Sequence, residues 1–122
     1  MTAKTVAIIE DEPIIALELE SICTDAGFQV VGFAATASKA WEKFSDIPPD
    51  VLISDMELAD GSDGVDTVLR LRTLRPDMFI IFVTAAKMSE TVDRIVASNP
   101  DRVLNKPFDV AELRKALAEA VS

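Results

Sequence analysis

The fold this sequence predicts is a single α/β domain, a doubly wound sheet of parallel strands with helices on both faces. Three observations lead there. Short β-branched, apolar runs alternate with helix-length periodic segments from end to end. The 122 residues suffice for one sizeable core and leave no room for a second fold. Polar residues able to carry chemistry come just after four of the apolar runs: Glu10 and Asp11 after TVAII, Asp55 after DVLIS, Thr84 after MFIIFV and Lys106 after RVLN. In open α/β sheets, ligands bind outside the carboxyl ends of the strands.

The first strand is Thr5 to Ile9. Pro13 then suits a first helical turn, and Ile15, Leu19, Ile22, Cys23 and Ala26 recur at helical spacing before a stop at Gly27. Phe28 to Ala34 is the second strand, and Ser38 to Phe44 a short helix ended by Ile47-Pro48-Pro49-Asp50. Val51 to Ser54 (VLIS) is the third strand, and Asp55 to Gly64 a polar loop with Gly61 and Gly64. Val65, Val68, Leu69, Leu71 and Leu74 mark a helix that stops before Pro76. Met78 to Thr84 is the fourth strand. Ser89 suits the cap of a helix bearing Val92, Ile95 and Val96, which Asn99-Pro100 ends. Asp101 to Asn105 is a short fifth strand. Asp109 and Glu112 have capping-box spacing at the start of the last helix, whose inner stripe is Val110, Leu113, Leu117, Ala120 and Val121.

Five strands alternating with five helices imply right-handed crossovers and make the flavodoxin-like strand order 2-1-3-4-5 the natural candidate. That order makes strand 2 an edge. Its end, Ala34-Ala35-Thr36, is the strand end that carries no charged group, so the polar residues fall on the strands that this order clusters.

Composition narrows the function. The net charge of −9 and the lack of a basic run argue against direct nucleic acid binding by phosphate neutralisation. No apolar run approaches the roughly 18 residues of a membrane span, and the start MTAKTVAII lacks signal-peptide features. No membrane insertion and a cytoplasmic location are the expectations. The chain has no histidine, which excludes a Ser-His-Asp triad, a His-ligated zinc site and a phosphohistidine carrier within it. The one cysteine, Cys23, cannot form an internal disulfide and falls in an apolar helical stripe, as a buried, inert thiol would.

Glu10, Asp11 and Asp55 would converge at one rim. Two unit charges about 4 Å apart repel by about 4 kcal/mol at an effective dielectric of about 20, so one acid should protonate unless a cation joins them. Mg²⁺ takes oxygen ligands and commonly links carboxylates to a phosphate. Asp11 and Asp55 are the expected direct ligands, with Glu10, one methylene longer than Asp, acting through water. An Asp in such a site can attack phosphorus and form an acyl phosphate. Lys106 and Thr84 would each contact a phosphoryl oxygen, and small Ala85 would leave room for the incoming group. Plainer readings exist for each residue: a helix start for Glu10 and Asp11, a turn for Asp55, a strand end for Thr84, a solvated surface for Lys106. They would all have to meet at one rim by chance.

The chain resembles a response regulator receiver domain, the phospho-accepting half of two-component signalling, over residues 4 to 121. The match is carried by IIEDEP (Ile8 to Pro13), LISDMEL (Leu52 to Leu58), FVTA (Phe82 to Ala85) and NKPF (Asn105 to Phe108), in order and at the family's spacing. The resemblance implies that Asp55 accepts a phosphoryl group from a histidine kinase or histidine phosphotransfer protein, and that a downstream protein target reads the result on the face of helix 4, strand 5 and helix 5. It implies a Mg²⁺ site made by Asp11, Asp55 and the backbone carbonyl of Glu57, with Glu10 in support, and a cis Lys106-Pro107 bond.

Two positions depart from the family pattern. Val103 stands where an aromatic residue often swings inward on activation, so the signal must travel by another rearrangement. The loop ADGSDG (Ala59 to Gly64) is one residue longer before Asp63-Gly64, which implies an altered loop near the site. Glu57 and Lys87, two residues beyond Asp55 and Thr84, are expected to pair across the site mouth and slow hydrolysis. The alternative is a haloacid-dehalogenase-like, Mg-dependent phosphatase with an Asp nucleophile. Such enzymes place Asp-x-Asp after their first strand, where this chain has Glu10-Asp11.

Overall fold

A computed structural model describes residues 3–85 and 89–121, the side chains of residues 89 and 90 excepted. The elements run β1 (Thr5–Ile9), α1 (Pro13–Asp25), β2 (Gln29–Ala34), α2 (Ala37–Phe44), β3 (Val51–Ser54), α3 (Gly64–Leu74), β4 (Phe79–Thr84), α4 (Ser89–Ala97), β5 (Arg102–Asn105) and α5 (Val110–Ala120). The strands form one sheet in the order β2-β1-β3-β4-β5, every pair parallel. This is the flavodoxin-like order expected from the alternation.

Successive strand residues point to opposite faces, and the core divides accordingly. Val6, Ile8, Ile53, Ile81 and Leu104 pack against α1 and α5 through Leu19, Cys23, Leu113 and Leu117. Ala7, Ile9, Leu52, Ile80 and Phe82 pack against α2, α3 and α4 through Phe44, Val68, Leu71 and Ile95. Both faces of the central strands are covered, which is why they read as unbroken apolar runs.

The helix starts follow local chemistry. Pro13 opens α1. Thr36 Oγ1 accepts from the Lys39 amide at 3.1 Å, and Asp63 Oδ1 from those of Val65 and Asp66 at 2.7 and 3.3 Å. Asp109 Oδ1 accepts from the Ala111 amide at 2.8 Å, so it caps α5, with Glu112 in the first turn. Asn99, in the left-handed region at φ 56°, ends α4 as expected. Cys23 is fully buried, and burial pushes its thiol up to about 12.

Several helix stripes are narrower or rotated relative to expectation. Ala26 is the C-cap of α1 and exposed, while Ala16 is buried instead. Leu69 and Leu74 of α3 are exposed, and Gly64 and Thr67 are buried. Val110 of α5 and Val121, its C-cap, are exposed, and Ala116 takes their place inside. In α4 only Ile95 of the three expected residues is buried; Val92 and Val96 face out, and Ser98 is buried. At 100° per residue the buried side centres between Ile95 and Ser98, about 90° from Val92. Ser98 can sit there because its Oγ donates to the Ile95 carbonyl at 2.6 Å. Apolar spacing alone could not show that a polar residue shares the inner face. Ser89 is the first residue of α4; its expected capping side chain lies outside the described residues.

Candidate functional site

The backbone ladder continues one residue past β1, β3 and β5 and so delivers the polar residues to a common rim. Ile9 is level with Ala34 and Ser54, and Thr84 with Asn105. Beyond them the Glu10 amide donates to the Ala34 carbonyl at 2.9 Å, the Asp55 amide to the Ile9 carbonyl at 2.9 Å, and the Lys106 amide to the Thr84 carbonyl at 3.0 Å. The uncharged end of β2 lies at the sheet edge, as the strand order requires.

Glu10, Asp55 and Thr84 are all buried. Lys106 Nζ lies 2.7 Å from Glu10 Oε1 and donates to Asp55 Oδ2 at 2.8 Å. Asp55 Oδ1 accepts from the Met56 amide at 2.6 Å, and Glu10 Oε2 from the Glu12 amide at 3.2 Å. One oxygen from each of Glu10, Asp11 and Asp55 lies within 4.8 Å of the others, with Asp11 the exposed member. The structure therefore brings together Glu10, Asp11, Asp55 and Lys106, with Thr84 ending the adjacent strand.

Electrostatics at this rim are unbalanced. Burial pushes the Glu10 carboxyl up to about 7, more strongly than its hydrogen bonds with Lys106 and Glu12 pull it down. Burial lowers the Lys106 ammonium, but its hydrogen bonds with Asp55 and Glu10 outweigh that and leave it raised. The protonation conflict expected among three acids thus falls on Glu10. The donor set suits a hard cation: its atoms are all carboxylate oxygens, and full ionisation of the three acids would exceed the one positive charge of Lys106.

Of the other expected site residues, Ala85 is exposed just past β4, and Pro107 follows a cis peptide bond with Lys106. The Glu57 side chain is exposed, and its backbone bridges to Asp63. Lys87, expected to pair with Glu57, lies outside the described residues. A cavity of about 590 Å³ opens beside Glu10 and Asp11, walled by Leu17, Phe33 and the stems of Lys39 and Lys43. A second, of about 350 Å³, lies on the loop from Met56 to Asp63.

Sequence reasoning missed the part played by Gly64. A Cβ there would lie 1.8 Å from the Asp55 carbonyl oxygen, so only glycine lets α3 start this close to the Asp55 segment. Its amide donates to the Met56 carbonyl at 2.7 Å. The signal was present in Asp63-Gly64, a capping residue followed by one without a side chain.

The chain matches the family model of the response regulator receiver domain over residues 6–118. It belongs to that family. It is 34% identical to the phyllosphere-induced regulator PhyR of Methylorubrum extorquens, across 98% of this chain and 44% of PhyR. It is 26% identical to the chemotaxis protein CheY of Thermotoga maritima, across 93% of this chain and 94% of CheY. The solution NMR structure of the Erythrobacter litoralis PhyR receiver domain superposes with a TM-score of 0.85 at 32% identity, covering 99% of this chain and 92% of that one. The chain thus spans less than half of the PhyR regulator and nearly all of CheY. Receiver domains are signalling switches of two-component systems and not enzymes in the usual sense. The phosphatase alternative gains no support from these matches. Among the described residues, no helix is long and apolar enough to cross a membrane.

Proposed function

We propose that this receiver domain is a switch in which Asp55 accepts a phosphoryl group, in a Mg²⁺-dependent reaction, from a histidine kinase or histidine phosphotransfer protein. The observation that carries the proposal is the shared ammonium. Lys106 binds both Asp55 and Glu10, at a rim where three carboxylates converge. Met56 and Lys106 hold one oxygen of Asp55 each, so the carboxylate is oriented before a donor arrives. A carboxylate oxygen of Asp55 attacks phosphorus, the bond from phosphorus to the donor imidazole nitrogen breaks, and that nitrogen keeps the electron pair. Asp11, Asp55 and the Glu57 backbone carbonyl would hold Mg²⁺, with Glu10 acting through water, and the ion would neutralise charge on the transferring group. Lys106 and Thr84 then each contact a phosphoryl oxygen, while the small Ala85 leaves the approach open and Pro107 sets the course of the chain after Lys106.

Beside Asp11, α1 exposes Ile14 and Leu17, 79% and 59% accessible. This apolar pair suits a donor protein that must bring its histidine to the rim. Val92, Val96 and Val103 are also exposed, on α4 and β5, and support a downstream protein target at the α4-β5-α5 face. Cytoplasmic residence belongs to the same reading.

Incubation with acetyl phosphate and Mg²⁺, followed by intact mass, tests the proposal. Wild type should gain one phosphoryl group, and Asp55→Asn none. Failure of wild type to gain it, or an equal gain by Asp55→Asn, would overturn the reading.

A further inference from the structure

We infer that Arg94 is a positioning residue, tying the loop that carries Asp55 to α4 and so transmitting the state of the site to the α4 surface. The inference rests on the reading of Asp55 as phosphoryl acceptor and concerns how that acceptor is read.

Arg94 lies in α4, and its guanidinium reaches across to the start of α3. Nη1 donates to Asp63 Oδ2, and Nη2 to Asp66 Oδ1 at 3.3 Å. A planar fork suits two acceptors side by side, which an ammonium would not reproduce. Asp63 is also the N-cap of α3, and its other oxygen, Oδ1, accepts from the amides of Val65 and Asp66. Both oxygens of one carboxylate are thus committed, one to the start of α3 and one to α4.

From Asp63 the connection to Asp55 is short and made of backbone. Asp63 bridges to Glu57, and the next residue, Gly64, donates to the Met56 carbonyl at 2.7 Å. Gly64 also abuts the Asp55 carbonyl, with no room for even a Cβ. Packed backbone of this kind does not deform by degrees. A shift at Asp55 or Glu57 must therefore displace Asp63 or break its bond to Arg94.

On the other side, α4 has few anchors among the described residues. Ile95 is its only side chain in the core among those described, and Ser98 is buried just past its end. One further tie comes from α3: Arg72 donates to the carbonyls of Ser98 and Asn99 at 2.7 and 3.2 Å. Among the described residues, Arg72 makes its side-chain hydrogen bonds to the carboxyl end of α4 and none to the Asp55 loop. The two arginines therefore separate two roles, holding α4 in place and coupling it to the site. Val103, half-exposed on β5, offers no aromatic side chain to carry the signal.

The test is hydrogen exchange of the 89–97 segment before and after treatment with acetyl phosphate and Mg²⁺, with intact mass following phosphorylation in the same samples. In wild type, phosphorylation should change exchange in α4. In Arg94→Ala, exchange should be about two- to thirtyfold faster from the outset, the span of two exposed ion-pair contacts, and phosphorylation should change it no further. Arg94→Lys, which keeps the charge and loses the fork, should fall between the two. Arg72→Ala should speed exchange in both states yet keep the phosphorylation-dependent difference. An undiminished difference in Arg94→Ala would overturn the inference. So would its loss in Arg72→Ala to the same extent, or its absence from phosphorylated wild type. Failure of wild type to gain the phosphoryl mass would instead remove the acceptor reading, and the coupling with it.

Discussion

Replacing Gly64 with alanine tests whether the acceptor loop is held by backbone packing. The new Cβ would sit 1.8 Å from the Asp55 carbonyl oxygen, against 3.4 Å for ordinary contact, so about 1.6 Å must open between two backbone segments. The Asp55 carbonyl also accepts from Ser54 Oγ at 2.8 Å and cannot yield freely. Overpacking costs about 1–3 kcal/mol, and pulling the Gly64 amide from Met56 about 1 kcal/mol more. The gain in helix propensity offsets at most about 1 kcal/mol. Net destabilisation of about 2 kcal/mol follows, which a domain of ordinary stability survives. Chemistry should suffer more, because a misplacement of about 1 Å can lower a rate a hundredfold. Gly61→Ala is the control: its Cβ meets nothing within 4 Å, but its φ of +77° strains any side chain, at about 1–2 kcal/mol. Urea unfolding and acetyl phosphate labelling of both variants would separate the effects. Both should lower the unfolding midpoint, and only Gly64→Ala should slow labelling of Asp55 by more than about tenfold. Labelling of Gly64→Ala at the wild-type rate would refute the reasoning.

Metal-free protein should lose stability as pH rises from 4.5 through about 7, because folded Glu10 holds its proton to about 7 and the unfolded carboxyl only to 4.5. The contribution is complete below 4.5, amounts to about 3 kcal/mol, and should vanish in Glu10→Gln when urea midpoints are followed across that range. Asp50 acts in the opposite sense and in a lower window. Its carboxyl is held down by Thr5 and Arg75 despite partial burial, so its contribution is present above about 4 and lost as pH falls further. Asp50→Ala should cost about 2 kcal/mol in urea unfolding at neutral pH, since it removes the acceptor for the Thr5 amide and the partner of Arg75. Lys106→Met should remove the ammonium shared by Glu10 and Asp55 and lower the labelling rate about a hundredfold, read by intact mass over time.

The architecture was legible because each strand is a β-branched run and each helix a periodic one, with Pro13, Asn99 and Asp109 marking ends that the backbone respects. The positions of Glu10, Asp55, Thr84 and Lys106 followed from strand order alone, since parallel register puts all strand ends on one rim. Two kinds of information were not legible. Helix rotation depends on which neighbours cover a face, so Val92, Val96, Val110 and Val121 read as interior until Ser98 and Ala116 are seen to occupy it. Contacts between segments distant in sequence also leave no periodic trace. Nothing local distinguishes Arg94, which joins Asp63, from Arg70, whose guanidinium lies 4.3 Å over the Trp41 ring.

The same two gaps bear on how a small site could move a surface. Driving a two-state equilibrium from 1:99 to 99:1 takes about 5.5 kcal/mol of differential stabilisation. One charge-assisted hydrogen bond contributes about 1.5–3 kcal/mol, so new contacts to Lys106 and Thr84 barely reach that total even if both form in full. The required energy is smaller if the responding element is weakly held. Here α4 fits that condition: among the described residues, its core contact is Ile95 and its side-chain ties to the rest of the fold run through Arg72 and Arg94. Elements that move in switching come from the low-stability end of a fold, and the exposure of Val92 and Val96 is the structural mark of that condition. Ile95→Val, which removes one methylene from that anchor, should therefore speed exchange of α4 in the unphosphorylated protein and leave the rate of Asp55 labelling unchanged. Hydrogen exchange of α4 and intact mass would read the two effects separately, and unchanged exchange in Ile95→Val would contradict the argument.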